Sequence, residues 1–291
     1  MFTFDFEAIG TGWFIDIDGV LELESENHSQ QIISLTHDFE ESYSRFKDTS
    51  LVGQLNKNKI LQNPTVEFLE MLKLAEELKE VTQGAFDVMI GKRLSDLGYD
   101  KSLSFKETKS TDLNENFIKI EANCIKIGAD SMLDLGGIGK GYLIDKVSMF
   151  IKSKGYKQFS VNAGGDIYSF GTQDKSFYLE NPFDTTQAIG EIVLKEGGIA
   201  CSSASKRNWK ANDKQVHHLI NMKSQMPVDD ISAVFTYGKT TTNADLGSTA
   251  IFVSDKNVWP DIAKLLNIEY LVVFSSGKYF QTQAYPGRMY S

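Results

Sequence analysis

The sequence predicts an α+β fold built mainly on antiparallel sheet, with packed helices, and three observations carry that prediction. Apolar and polar residues alternate strictly in several stretches joined by short glycine or asparagine turns, as in strand pairs closed by hairpins. Between them lie stretches with apolar residues every three or four positions, but strands and helices do not alternate regularly, which argues against a doubly wound parallel sheet. No composition shift or proline-rich linker divides the 291 residues, so 1–291 reads as a single domain.

The elements follow in order. Residues 2–24 alternate and predict a β-hairpin or a pair of strands. Residues 29–46 switch to helical spacing through Ile32, Leu35, Phe39, Tyr43 and Phe46. A second helix follows Pro64, with Val66, Leu69, Leu72, Ala75, Leu78 and Val81 as its apolar stripe and Gly84 placed to end it. Residues 115–128 read as a hairpin turning at Ala122-Asn123. A glycine-rich turn then leads into a helix that buries Leu143, Ile144, Val147, Phe150 and Ile151 and closes at Gly155. VNAGGDIYSFG reads as strand, glycine turn and strand, and further strands are predicted at 189–196, 216–221 and 231–237. A helix capped by Thr242 and a last hairpin around Ser276-Gly277 complete the chain.

Composition narrows the function classes. A formal net charge of −9 argues against nucleic-acid partners, which need basic surface. Cys124 and Cys201 share no metal-ligand spacing and read as two thiols rather than a zinc site or a disulfide. The N-terminus has no basic region or long apolar run, and no stretch is long and apolar enough for a membrane helix. A cytoplasmic location without stable membrane insertion is therefore expected, or a periplasmic or cell-surface one if a leader has been removed.

Five segments could carry chemistry. DLGGIGKG at 134–141 brings a glycine turn to a helix N-terminus, where free amides, a partial positive charge and Lys140 could cradle a phosphate. The same residues would also suit a tight turn packed in the core. In VNAGGDIYSFG at 161–171, two glycines allow a sharp reversal or room for a flat ligand, with Asp166 as cap or ligand. In TTTNADLGSTAIF at 240–252, Asp245 falls in the first helical turn, with Ser248 and Thr249 at i+3 and i+4 on the same face. That oxygen-only set suits magnesium, although Asp245 could simply complement the helix dipole. His217 and His218 adjoin in a predicted strand, so only one can face a site and accept a proton there. Ser50, Asn56 and Asp87 sit at element ends and by themselves read as caps and turns.

Together these motifs resemble one family, the FAD:protein FMN transferases of the ApbE type. AIGT at 8–11 is similar to the family's A-M-G-T, and YSRFKDTSLVGQLN to its S-x-F-x-x-x-S-x-[IV]-x-x-L-N. TQGAFD, DLGGIGKGYLIDKV, VNAGGDIYSFG and NADLGSTAIFV each match a further family motif, and HHLINMKSQMP stands where the family has H-x-[IL]-D-P-x-T-G-x-P. The match runs in order from about residue 8 to about residue 253.

The resemblance implies an α+β fold that holds FAD as substrate with Mg2+. It places Ile9, Ser50, Asn56, Ala85, Phe86, Asp87, Lys140, Gly164, Leu219 and Ile220 at the FAD, with Lys140 on the phosphates. It assigns the metal to Asp245, Thr249, Ser248 and a backbone carbonyl near Gly137, and makes His218 the proton acceptor. The implied reaction transfers FMN to a Thr or Ser hydroxyl of a client flavoprotein and releases AMP. The alternatives are an FAD pyrophosphatase and a non-catalytic FAD-binding protein. One departure bears on them: the family's Asp-Pro is Asn221-Met222 here, and its Thr-Gly is Ser224-Gln225.

Overall fold

The computed structural model describes residues 2–19, 22–100, 104, 116–121, 123–206, 208–211 and 214–290. Strands β1 (Phe2–Ala8) and β2 (Thr11–Ile17) form the expected hairpin. Phe2, Phe4 and Phe6 alternate with exposed Thr3, Asp5 and Glu7, and their rings continue onto Trp13, stacked on Phe6 at 5.7 Å. Helix α1 (Glu22–Tyr43) begins and ends earlier than its apolar spacing suggested, leaving Phe46 in the turn beyond it. A helix that periodicity did not reveal follows, α2 (Leu51–Asn58), with Ser50 as N-cap accepting from Gly53 N–H at 2.8 Å.

Strand β3 (Ile60–Gln62) leads to α3 (Val66–Val81), capped by Thr65 and closed at Gly84, whose φ is +84°. A short helix α4 (Gly91–Asp96) precedes the hairpin of β4 (Ile118–Ile120) and β5 (Cys124–Ile127). Its predicted turn residue Ala122 lies outside the described residues. The glycine turn does lead into a helix, α5 (Gly139–Ser153), ended by Gly155 at φ +85°. Strands β6 (Phe159–Ala163) and β7 (Asp166–Phe170) reverse at Gly164-Gly165, both at positive φ.

Then come β8 (Lys175–Asn181), β9 (Asp184–Leu194), β10 (Gly197–Ser203), β11 (Asn208–Ala211) and β12 (Lys214–His217). The strand predicted at 216–221 is broken: β12 stops at His217, and β13 (Ile220–Asn221) resumes after a bend at His218. It pairs with β14 (Met226–Pro227). Strand β15 (Ile231–Gly238) precedes α6 (Thr241–Val253). The last elements are α7 (Trp259–Leu266), β16 (Ile268–Phe274), β17 (Tyr279–Gln281) and β18 (Gly287–Met289).

The main sheet has eight strands in the order β1-β2-β6-β7-β10-β15-β16-β17, all antiparallel. Its one face packs on α5 and α6, and the large apolar core fills that layer. On the other face a three-stranded sheet, β18-β9-β8, buries Leu179, Ile192 and Leu194 against Ile167, Ile199, Phe235 and Leu271. Helix α6 is buried on every side, so its sequence carries no amphipathic signal.

Helices α5 and α6 meet at a point that only glycine permits. A Cβ on Gly141 would lie 2.6 Å from the Thr241 carbonyl oxygen and 2.8 Å from Asp245 Cβ. Gly141→Ala must therefore push the helices apart, costing about 1–3 kcal/mol. A thermal melt should show a midpoint several degrees lower, and an unchanged midpoint would refute this contact.

Candidate functional site

A cavity of about 250 Å3 opens where the N-termini of α5 and α6 meet. The glycine turn that feeds α5 is fixed before it arrives. Asn56 clamps Leu133 on both sides, accepting from its N–H at 2.7 Å and donating to its carbonyl at 3.0 Å. Asp134 N–H donates to Val88 O at 2.8 Å, and the Asp134 carboxylate accepts from Gly136 N–H at 2.6 Å and pairs with Arg45. Gly137 lies beneath two side chains: a Cβ there would stand 3.3 Å from the Phe86 ring and 3.6 Å from Thr249 Cγ2.

The cap of α6 differs from the sequence reading. Thr240, not Thr242, is the N-cap, so Asp245 falls in the second turn and not the first. Its role is not to offset its own helix's dipole. Asp245 Oδ2 accepts the N–H of Gly141 in α5 at 2.9 Å. Reciprocally, Asp145 of α5 accepts the amides of Thr241 and Thr242, each at 2.8 Å. Burial pushes the Asp145 carboxyl above its ordinary range, although hydrogen bonds from Thr242 and Thr241 pull it back.

Lys140 stands beside this exchange, paired with buried Asp166 and 3.9 Å from Asp245 Oδ1. Asp166, read as cap or ligand, is thus the counter-ion of Lys140, and it also accepts from Cys201 N–H at 3.1 Å. One turn beyond Asp245, Thr249 lines the cavity. Its hydroxyl is 3.2 Å from Ser202 Oγ, which in turn is 2.8 Å from Ser248 Oγ.

The two histidines separate clearly. His217 Nε2 donates to Val228 O at 2.9 Å, its Nδ1 accepts from Leu219 N–H at 3.2 Å, and its ring packs edge-on against Phe252. Both nitrogens are used, and burial holds this imidazole below the usual histidine range against the opposing pull of Val228 and Asp229. His218, at the bend, lines the cavity with Leu219 and Ile220. Asn221 anchors this loop: its amide donates to Val253 O at the end of α6 at 2.8 Å, and its oxygen accepts from Lys223 and Ser224 N–H at 2.9 and 3.1 Å. Gln225, where the family pattern has glycine, keeps a positive φ of +57°.

Of the expected residues, Phe86, Asp87, Gly137, Lys140, Gly164, His218, Leu219, Ile220, Asp245 and Thr249 line the one cavity. Ile9 lines a second chamber of about 570 Å3, which shares Gly10, Tyr99, Asp134, Gly136 and Lys140 with the first. Four expected residues line neither chamber. Ser50 caps α2. Asn56 lies within α2 and holds Leu133. Ala85 is buried and gives its carbonyl to Met222 N–H at 3.0 Å. Ser248 turns inward to Ser202 and to the Asp245 carbonyl.

Sequence reading missed Asp134, Arg45, Tyr99 and Ser202. The Arg45 guanidinium lies 4.2 Å from the Phe46 ring centroid and 5.4 Å from that of Tyr99, in the wall of the second chamber. An arginine between aromatics in YSRF was the available signal. Ser202 had none beyond a run of small residues.

The donor set suits a hard cation. Among the described residues no cluster of three or more His, Cys, Asp or Glu side chains could hold a metal. One buried carboxylate (Asp245), one hydroxyl (Thr249) and the backbone at Gly137 share the cavity. Magnesium is commonly held by one or two carboxylates, with waters and ligand phosphates completing the shell, so these residues fit it.

These features describe an α+β protein with a two-chambered cleft at paired helix N-termini, and comparison identifies the class. The family model for the ApbE family matches residues 5–272, and the chain belongs to that family. Relatives include an FAD:protein FMN transferase of Haemophilus influenzae, 24% identical, covering 96% of this chain and 88% of the relative. Another, of Buchnera aphidicola, is 23% identical over 85% of this chain and 78% of its own. The solved ApbE protein of Thermotoga maritima superposes with a TM-score of 0.85 at 21% identity, covering 97% of each chain. The flavin transferase ApbE of Vibrio cholerae gives 0.78 at 18% identity, covering 98% of this chain and 97% of its own. Among the described residues, no helix is long and apolar enough to cross a membrane.

Two predictions follow from this geometry. Ile9 is β-branched yet holds φ +49° in the β1–β2 turn, a conformation that costs about 1–3 kcal/mol. Ile9→Asn suits a two-residue hairpin turn better and should raise the melting midpoint while weakening ligand binding in the second chamber. A lowered midpoint would contradict the strain. Because folded His217 holds its proton less tightly than the ordinary 6.5, the unfolded chain takes up the extra proton as pH falls below that value. Its stabilising contribution is complete above 6.5 and is lost on the way down to the lower folded value. Urea midpoints at pH 5.5 and 7.5 (about one unit either side) should differ less in His217→Gln than in the wild type. Equal differences would count against a neutral, buried His217.

Proposed function

We propose that this chain is a magnesium-dependent FAD:protein FMN transferase, moving the FMN half of FAD onto a threonine or serine hydroxyl of a client flavoprotein and releasing AMP. The observation that carries this reading is the convergence of Lys140, Asp245, Thr249 and His218 on a cavity that continues into a second chamber. A dinucleotide needs that shape, with one chamber for each half. The names of the relatives support it.

In this reading Lys140, which lines both chambers, binds the pyrophosphate between them. Ile9 in one chamber and Leu219 and Ile220 in the other touch the two ends of the dinucleotide. Phe86, Asp87 and Gly164 complete the wall. Asp245, Thr249 and the Gly137 carbonyl hold magnesium, which when bound draws charge from the pyrophosphate and makes AMP a better leaving group. Asn56, Ser50, Ala85 and Ser248 are positioning residues, holding the elements that present the others.

The acceptor oxygen forms a bond to the FMN phosphorus as the bond from that phosphorus to the AMP oxygen breaks. The electron pair of the broken bond leaves with AMP, and the acceptor's proton passes to His218. His217 cannot serve, since both its nitrogens are engaged.

The test is incubation with FAD and Mg2+, with and without a threonine-bearing acceptor, reading AMP release and acceptor mass. His218→Ala should slow transfer by about 10²–10⁴-fold. Asp245→Ala, or chelation of the metal, should abolish it. AMP release with no labelled acceptor would favour an FAD pyrophosphatase, and FAD bound but intact would favour a binding protein.

A further inference from the structure

We propose that the free edge of β8 and the sheet face beside it form the docking trough for the client's acceptor segment, which enters extended and pairs with β8. This rests on the transferase reading. Strand β8 is the outer strand of β18-β9-β8, so among the described residues one row of its backbone N–H and C=O groups has no strand partner. Residues 176–180 of β8 line a cavity of about 310 Å3 between the three-stranded sheet and the main sheet, beside that edge.

The strand points at the cleft. At its start, Lys175 Nζ donates to Asp16 Oδ2 at 3.1 Å and to Ser160 Oγ at 2.7 Å, which seats β8 over β2 and β6. At its far end, Glu180 pairs with Lys206 at 3.5 Å. Lys206 Nζ in turn lies 3.5 Å from where a Cβ on Gly165 would be, at the β6–β7 turn. The trough therefore leads along β6 to that turn, whose Gly164 lines the first chamber. Cys201 and Lys206 line both cavities, so the trough and the chamber adjoin at these two residues.

Two further features mark it as a binding surface. The three-stranded sheet covers the main sheet over β7, β10, β15 and β16, but on β2 Phe14, opposite Asn162, remains 55% exposed. Tyr285 lines the trough cavity, is only 5% exposed, and its hydroxyl has no hydrogen-bond partner among the described residues. An open strand edge is matched by another backbone, and pockets beside it then select side chains. A polypeptide in extended form is the occupant with that chemistry, and the proposed reaction requires one whose hydroxyl reaches the phosphorus.

The experiment uses the full chain with FAD, Mg2+ and an arrayed library of peptides of about 15 residues, each with one central threonine or serine. At about 3.4 Å per residue, that length runs along β8 and into the cleft. Phe14→Glu and Tyr178→Glu alter exposed trough residues outside both chambers, and Val66→Glu, on exposed α3 surface, is the control. For the best-labelled peptide, both trough variants should raise the acceptor KM about tenfold and leave FAD affinity and acceptor-free AMP release unchanged. Val66→Glu should leave all three unchanged. Hydrogen exchange of the wild type with that peptide should slow across 175–181. Unchanged acceptor KM in both variants, or protection that spares 175–181, overturns the trough while leaving the transferase reading intact. A wild type that labels no acceptor overturns that reading, and the trough with it.

Discussion

The cleft depends on an exchange of carboxylates between two helices. Asp245 of α6 accepts an amide of the first turn of α5, and Asp145 of α5 accepts two amides at the start of α6. Each helix thereby satisfies backbone donors that its partner leaves open, and each positive helix end lies beside a negative group. The exchange demands close approach, which Gly141 permits. Once the two N-termini are locked, the neighbouring positions have little freedom. Lys140 precedes Gly141, Thr249 follows Asp245 by one turn, and Gly137 lies under Thr249. The candidate site is largely what two crossed helix starts expose.

The electrostatics suit an acidic protein that must hold an anion. The chain carries −9 overall, and two of its carboxylates, Asp166 and Asp245, stand near Lys140. Burying a pair such as Lys140–Asp166 contributes little net stability, because desolvation offsets much of the attraction. It does fix where the ammonium sits, at the junction of two chambers. Set against two carboxylates, Lys140 brings no surplus of positive charge to the junction, and a phosphate ligand there needs a further cation to balance it.

Much of the fold was legible because strand alternation and turn glycines are local signals. The β6–β7 and β16–β17 reversals lie where the sequence placed them, and β1 and β2 pair as a hairpin. The motif residues that line the cavity were legible through resemblance, since DLGGIGKG alone fits a core turn equally well. What stayed hidden depended on long-range contacts. Helix α2 is eight residues long, too short for periodicity to stand out. Helix α6 is buried all round, so nothing in its pattern fixed its first residue, and Thr240 could not be told from Thr242 as cap. Ser50, Asn56, Ala85 and Ser248 belong to the right motifs, but their partners, such as Leu133 for Asn56 and Ser202 for Ser248, are remote in the sequence. A motif fixes which residues occur together, and packing then decides which of them face a ligand.

The loop that carries His218 is moored by Asn221, through a donor to α6 and an acceptor for two amides. The aspartate of the family pattern could fill the acceptor half of that arrangement only, and it would change its charge in acid. A carboxamide does both and does not ionise. The mooring through Asn221 is therefore indifferent to proton concentration, where an aspartate's would not be.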